Sequence, residues 1–141
     1  MQATMTATRS AVIKADQARV WKAITTPEQI NAWFDPEMKW DFMPAVGEPI
    51  SFHYKGEFIG YGRIVTVEPM TTFAFNWTPE PGNPVESRVT FVLEAVPEGT
   101  LVTISEAGFE KLPDDVRQKR YEMNGQGWSL TLDHLTDYLK A

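Results

Sequence analysis

Along TLVTISEAGF, residues 100–109, Val102, Ile104 and Glu106 share one side of an extended chain at period two. With that side inward, Glu106 enters an apolar interior, where a carboxylate is costly unless it is paired. Such a group serves as a ligand anchor or a general acid. With Leu101, Thr103, Ser105 and Ala107 inward instead, the same glutamate faces water. Tyr61 and Arg63 pose the same question on an earlier strand. If they point inward with Val65 and Val67, the guanidinium can pair with Glu106 or hold an acidic ligand. If Phe58 and Ile64 mark the inside, both sit in water or at the rim.

The remaining reactive side chains form no recognisable centre. His53 alternates away from Ile50, Phe52 and Tyr54, which makes it a surface or edge histidine, and His134 lies beside Asp133 and Asp137 on a polar helix face. No His/Asp/Glu cluster has metal-ligand spacing, so neither a metal nor another cofactor is expected. No G-x-S-x-G elbow is present, and Ser87, Ser105 and Ser129 occupy ordinary element positions. GEFIGYG lies within a strand rather than at a strand-to-helix turn, which rules it out as a phosphate cradle.

The last helix adds a different signal. At 100° per residue Tyr121, Gly125, Trp128, Leu132, Leu135 and Leu139 fall on one face, with Met123 and Leu130 nearly opposite. Gly125 interrupts the inward stripe, and an interior glycine costs a helix about 1 kcal/mol relative to alanine. The gap either leaves room for a ligand, with Gly127 letting the helix bend around it, or permits close helix–sheet packing or a kink.

These residues need positioning elements, and the order of elements is informative. A strand is expected over Thr6–Ile13, then a helix N-capped by Asp16 with Val20, Trp21 and Ile24 on one face. Thr26, Pro27 and Gln29 read as a capping box opening a second helix with Ile30, Trp33 and Phe34 as its stripe. DPEMKWDFMPAVGEP reads as a long loop carrying Trp40 and Phe42. Strands follow at 50–54, 57–69, 71–77, 86–96 and 100–109, with turns at Lys55-Gly56 and Glu98-Gly99 and a loop at 79–84. A long helix from about Asp114 to Lys140 closes the chain. The total is an α+β layout, an antiparallel meander covered by a helical layer. Trp33, Phe34, Trp40 and Phe42 gather around the loop as a lid or a secondary core. Phe52, Phe73, Phe75, Trp77 and Phe91 are core, with a subset lining a cavity.

The 141 residues suit one domain over 1–141, and 43% apolar with 23% charged residues is ordinary for a globular protein. A net charge of −6 argues against nucleic-acid and anionic-membrane partners. The basic cluster Arg117, Lys119 and Arg120 is flanked by Asp114, Asp115 and Glu122 and reads as a solvated helix face. Without cysteine there is no disulfide framework, and the start lacks a signal-peptide core, so a cytoplasmic address is expected.

VWKAITTPEQINAWF, VEPMTTFAFNW, GTLVTISEAGF and GWSLTLDHLTDYL follow one another in an order that resembles a START-like, helix-grip domain of the SRPBCC superfamily, over residues 5–140. The nearest branch is the AHSA type, similar to activators of the heat-shock chaperone ATPase. The resemblance implies a curved antiparallel sheet wrapped around the C-terminal helix, two short helices after the first strand, and a cavity between sheet and helix. It also implies an aromatic, polyketide-like or lipid-like ligand, a stress-response setting and a monomer or weak dimer. Relatives include cyclases and chaperone modulators, so a cyclase or hydratase, or a chaperone-contacting module, are the alternatives to a binding protein. The family often carries histidine where this chain has Glu106, so no histidine-based role carries over. The ligand-binding set expected is Trp33, Phe34, Phe42, Phe52, Tyr61, Arg63, Phe75, Trp77, Phe91, Glu106, Tyr121, Gly125 and Trp128.

Overall fold

The computed structural model describes residues 5–78 and 85–140, apart from the side chains of residues 58 and 59. The loop expected at 79–84 lies outside the described residues. Strand β1 (Thr6–Ile13) is followed by helices α1 (Gln17–Thr25) and α2 (Pro27–Trp33). Strands β2 (Met38–Phe42), β3 (Pro49–Tyr54), β4 (Glu57–Glu68), β5 (Thr72–Trp77), β6 (Ser87–Val96) and β7 (Gly99–Ala107) come next, and helix α3 (Asp114–Leu139) ends the fold. All strands pair antiparallel in one sheet of order β1-β7-β6-β5-β4-β3-β2, curved around α3 in the helix-grip arrangement. The core fills the space between the inner sheet face and α3, with Val20, Ala23, Ile24, Ile30 and Trp33 of α1 and α2 closing one end.

Local chemistry explains most boundaries. The Asp16 carboxylate accepts from the Arg19 amide at 2.8 Å, capping α1 as expected. Thr26 does precede Pro27 at the start of α2, but its hydroxyl makes no cap bond, so the capping box is not formed. Gln29 instead accepts from the Tyr138 hydroxyl of α3 at 3.3 Å. Lys55 and Gly56 both have positive φ, 52° and 82°, as a two-residue type I′ hairpin requires. At the β6–β7 hairpin the register pairs Val96 with Gly99, so Pro97 and Glu98 make the turn and Gly99 already belongs to β7.

The expected loop around Trp40 is corrected: it contains the edge strand β2, paired with β3 through Trp40 opposite Phe52. Its free edge is occupied by a side chain. Asn31 of α2 donates to the Trp40 carbonyl at 3.0 Å and accepts from the Trp40 amide at 2.8 Å, standing in for a neighbouring strand. Asn31→Ala is expected to destabilise the fold by about 2 kcal/mol, two lost hydrogen bonds at about 1 kcal/mol each. Amide exchange at Trp40 should rise in step.

The start of β1 is held by the segment that follows β7, its neighbour in the sheet. The Met5 amide donates to Glu110 Oε1 at 2.9 Å, and this bond is the main reason that the Glu110 carboxyl titrates below its usual range. A carboxyl depressed in the folded state stabilises at neutral pH and stops doing so as pH falls through its folded value. The protection factor of the Met5 amide, its exchange measured against the intrinsic rate at each pH, should therefore fall as acid protonates Glu110. In Glu110→Gln the protection factor should lose that pH dependence.

Candidate functional site

Period two decides the orientation of β7. Val102, Ile104 and Glu106 all point inward, and Glu106 is fully buried. Four side-chain donors meet its carboxylate. Trp128 Nε1 and Asn124 Nδ2 of α3 donate to Oε1 at 2.8 and 3.1 Å. Trp77 Nε1 of β5 and Ser87 Oγ of β6 donate to Oε2 at 2.7 and 2.5 Å. Its two oxygens offer about four lone-pair sites, and four donors converge on them. Among the described residues no cation lies in ion-pair range of it. Hydrogen bonds, not a counter-ion, compensate for its burial.

This cluster forms the back of a pocket. Phe34, Trp77, Met123, Asn124, Gly127, Trp128 and Thr131 line a cavity of about 130 Å³ open to the surface between β5 and α3. Trp77 and Trp128 lie with ring centroids 5.5 Å apart and planes 31° from parallel. Glu106 does not line the cavity; it sits behind three of the lining residues and fixes both indoles and the Asn124 amide. A second hollow, of about 290 Å³, adjoins the cluster at Ser87 and is lined also by Asn76, Glu86, Arg88, Glu110 and Lys111, a mixed-charge rim with no aromatic wall.

The other expected site residues separate into groups. Phe34, Trp77 and Trp128 line the pocket. Trp33, Phe42, Phe52, Phe75 and Phe91 are buried core, so the broad cavity expected between sheet and helix is largely filled by rings. Trp40 is their hub, with Phe34, Phe52 and Phe75 at centroid distances of 5.0, 4.8 and 5.6 Å. Its indole N–H is buried without a conventional partner, amid edge-to-face rings. Trp33 donates from Nε1 to the Ala23 carbonyl at 2.9 Å, a bond that ties α2 to α1.

Four placements correct the expectation. Tyr61 is 65% exposed and Arg63 is also exposed, donating to the Gly47 carbonyl at 2.9 Å; buried Ile64 marks the inner side. Arg63 therefore does not reach Glu106. Tyr121 packs on Phe109 in a small separate cluster with Ala7 and Leu112. Gly125 is buried on the inward stripe, but the space above it is taken. A Cβ there would stand 2.8 Å from Nη2 of Arg9, whose guanidinium lies across α3 and donates from Nε to Ser129 Oγ at 3.1 Å. The open glycine is Gly127, where a Cβ would meet nothing within 4 Å.

Sequence reasoning missed Ser87, Met123, Asn124 and Thr131, and read Gly127 as a bend around a ligand rather than as the open position. Ser87 carries a usable signal, since it alternates inward with Val89, Phe91 and Leu93. Asn124 precedes Trp128 by one helical turn, which places both on the Glu106 side.

Among the described residues no helix is long and apolar enough to cross a membrane, and no group of three or more His, Cys, Asp or Glu is placed to hold a metal ion. A family model described as Activator of Hsp90 ATPase homolog 1-like protein matches residues 14–140. Comparison with curated proteins gives no match. Among solved structures, protein MLL2253 of Mesorhizobium loti is 26% identical, with 96% of each chain covered and a TM-score of 0.83. ChR145 of Cytophaga hutchinsonii is 21% identical over 99% of this chain and 97% of that one, TM-score 0.77. The Aha1 dimer of Colwellia psychrerythraea is 20% identical over 96% and 94%, TM-score 0.72. The latter two share the fold.

Proposed function

This chain belongs to the Activator of Hsp90 ATPase homolog 1-like family, and on that premise we propose that it binds an apolar small molecule ring-first in the pocket between β5 and α3. The observation that carries the reading is the pocket itself: Phe34, Trp77 and Trp128 form its walls, and the buried Glu106 carboxylate holds the two indoles in place. A site is worth such bracing where the positions of its walls matter, because rigid aromatic walls bind without an ordering penalty. The cavity is close in size to one of about 150 Å³ that accommodates benzene, so it takes one ring or a short alkyl end. The rest of a larger ligand would lie over Met123 and Phe34.

The cyclase or hydratase alternative needs Glu106 as acid or base. Both oxygens of that residue are engaged by protein donors, and pocket-lining residues stand between it and an occupant. Binding without turnover is the better-supported reading.

Toluene is a suitable first probe. Titrated to millimolar concentration, it should give saturable shifts of the Trp77 and Trp128 indole N–H and the Gly127 amide in ¹H–¹⁵N spectra. Unchanged signals at those three positions would overturn the proposal.

A further inference from the structure

The polar atoms around this pocket are unequally distributed. The two indoles and the Thr131 hydroxyl have their donors engaged, Trp77 and Trp128 Nε1 by Glu106 and Thr131 by the Gly127 carbonyl at 2.9 Å, and Asn124 Nδ2 spends one N–H on Glu106. Asn124 Nδ2 also reaches the second Glu106 oxygen at 3.4 Å. Both contacts run from Nδ2, so the NH₂ end of the Asn124 amide faces Glu106. Oδ1 is left at the other end, without a partner among the described residues, on a side chain that lines the pocket. The lining side chains thus offer two acceptors, Asn124 Oδ1 and the lone pairs of Thr131 Oγ1.

We propose that the pocket selects a single aromatic ring bearing a hydrogen-bond donor, a phenol in the simplest case, with Asn124 Oδ1 accepting from its hydroxyl. The proposal rests on the binding function above and names its ligand class. A ring fills the roughly benzene-sized space between Phe34, Trp77 and Trp128. A ligand presenting only a carbonyl or ether oxygen has no proton for Asn124 Oδ1 and forgoes that hydrogen bond.

The test compares phenol, anisole and toluene by ¹H–¹⁵N titration of the wild-type protein and of Asn124→Ala. Anisole keeps the ring and the oxygen and lacks the donor. Phenol should bind wild type about fivefold more tightly than anisole, a gain of about 1 kcal/mol, and the preference should vanish in Asn124→Ala. Glu106 keeps three donors in that variant. If Asn124→Ala does not fold, the wild-type comparison decides alone. Equal wild-type affinities for phenol and anisole would overturn the donor selectivity while leaving the pocket as an apolar site. A preference that persists in Asn124→Ala would overturn the role of Oδ1. If none of the three binds, the proposed function falls with it.

Discussion

Glu106→Leu is expected to lower the free energy of unfolding by about 4 kcal/mol, and Glu106→Gln by about 2 kcal/mol, in urea titrations at neutral pH. The two magnitudes differ because the substitutions orphan different numbers of donors. Leucine removes the acceptor shared by Trp77, Ser87, Asn124 and Trp128, and each buried donor left unpaired costs about 1–3 kcal/mol. Ser87 and Asn124 can turn to other partners, which keeps the total near the lower end. Glutamine keeps one acceptor oxygen and presents an NH₂ group in place of the other. With that NH₂ toward β5 and β6, the Ser87 hydroxyl can accept from it and the Trp77 N–H cannot. Turned toward α3, the Asn124 amide can flip to accept and the Trp128 N–H cannot. In either orientation one indole, a donor only, faces a donor. A single indole N–H signal should therefore move strongly upfield in Glu106→Gln. Wild-type stability with both indole signals unmoved would show that the carboxylate does not hold the two rings.

Gly127→Leu should have the largest effect on binding, abolishing the toluene-induced shifts while raising stability by about 0.5–1 kcal/mol. The gain comes from replacing a helix-interior glycine by a good helix former, and no neighbour lies within 4 Å of the new Cβ to oppose it. The loss comes from placing an isobutyl group in a cavity of about 130 Å³. Thermal unfolding and titration of the same variant separate the two effects. At Gly125 the balance differs, since any side chain must first displace the Arg9 guanidinium.

The contrast between the two glycines shows what the chain discloses locally. The helical period puts Gly125 on the buried stripe correctly, but the group that fills the gap is Arg9, on a strand at the far end of the sequence. The same holds for Glu106: its inward orientation follows from alternation along β7, whereas its four partners come from β5, β6 and α3 and meet only through the tertiary fold. The parity of Tyr61 and Arg63 was unreadable for a nearer reason. The β4–β5 register shifts between Ile64 and Thr66, so Ile64 and Val67 both pack toward the core and the alternation of Val65 and Val67 does not extend back to Arg63. Strand β2 did alternate, with Met38, Trp40 and Phe42 more buried than Lys39 and Asp41, but five residues flanked by prolines are too short to stand out from a loop. The five later strands and the long helix carry sustained periods, and their boundaries were legible to within about two residues.

The central claim is that an apolar ring enters the pocket walled by Phe34, Trp77 and Trp128. Intermolecular nuclear Overhauser effects between toluene and the protein test it most directly. The account predicts contacts from the ring protons to the Thr131 and Met123 methyl groups and to the Trp128 indole, all lining one cavity. Contacts confined to the outer face of the sheet around Tyr61, or to the Phe109–Tyr121 cluster, would contradict it.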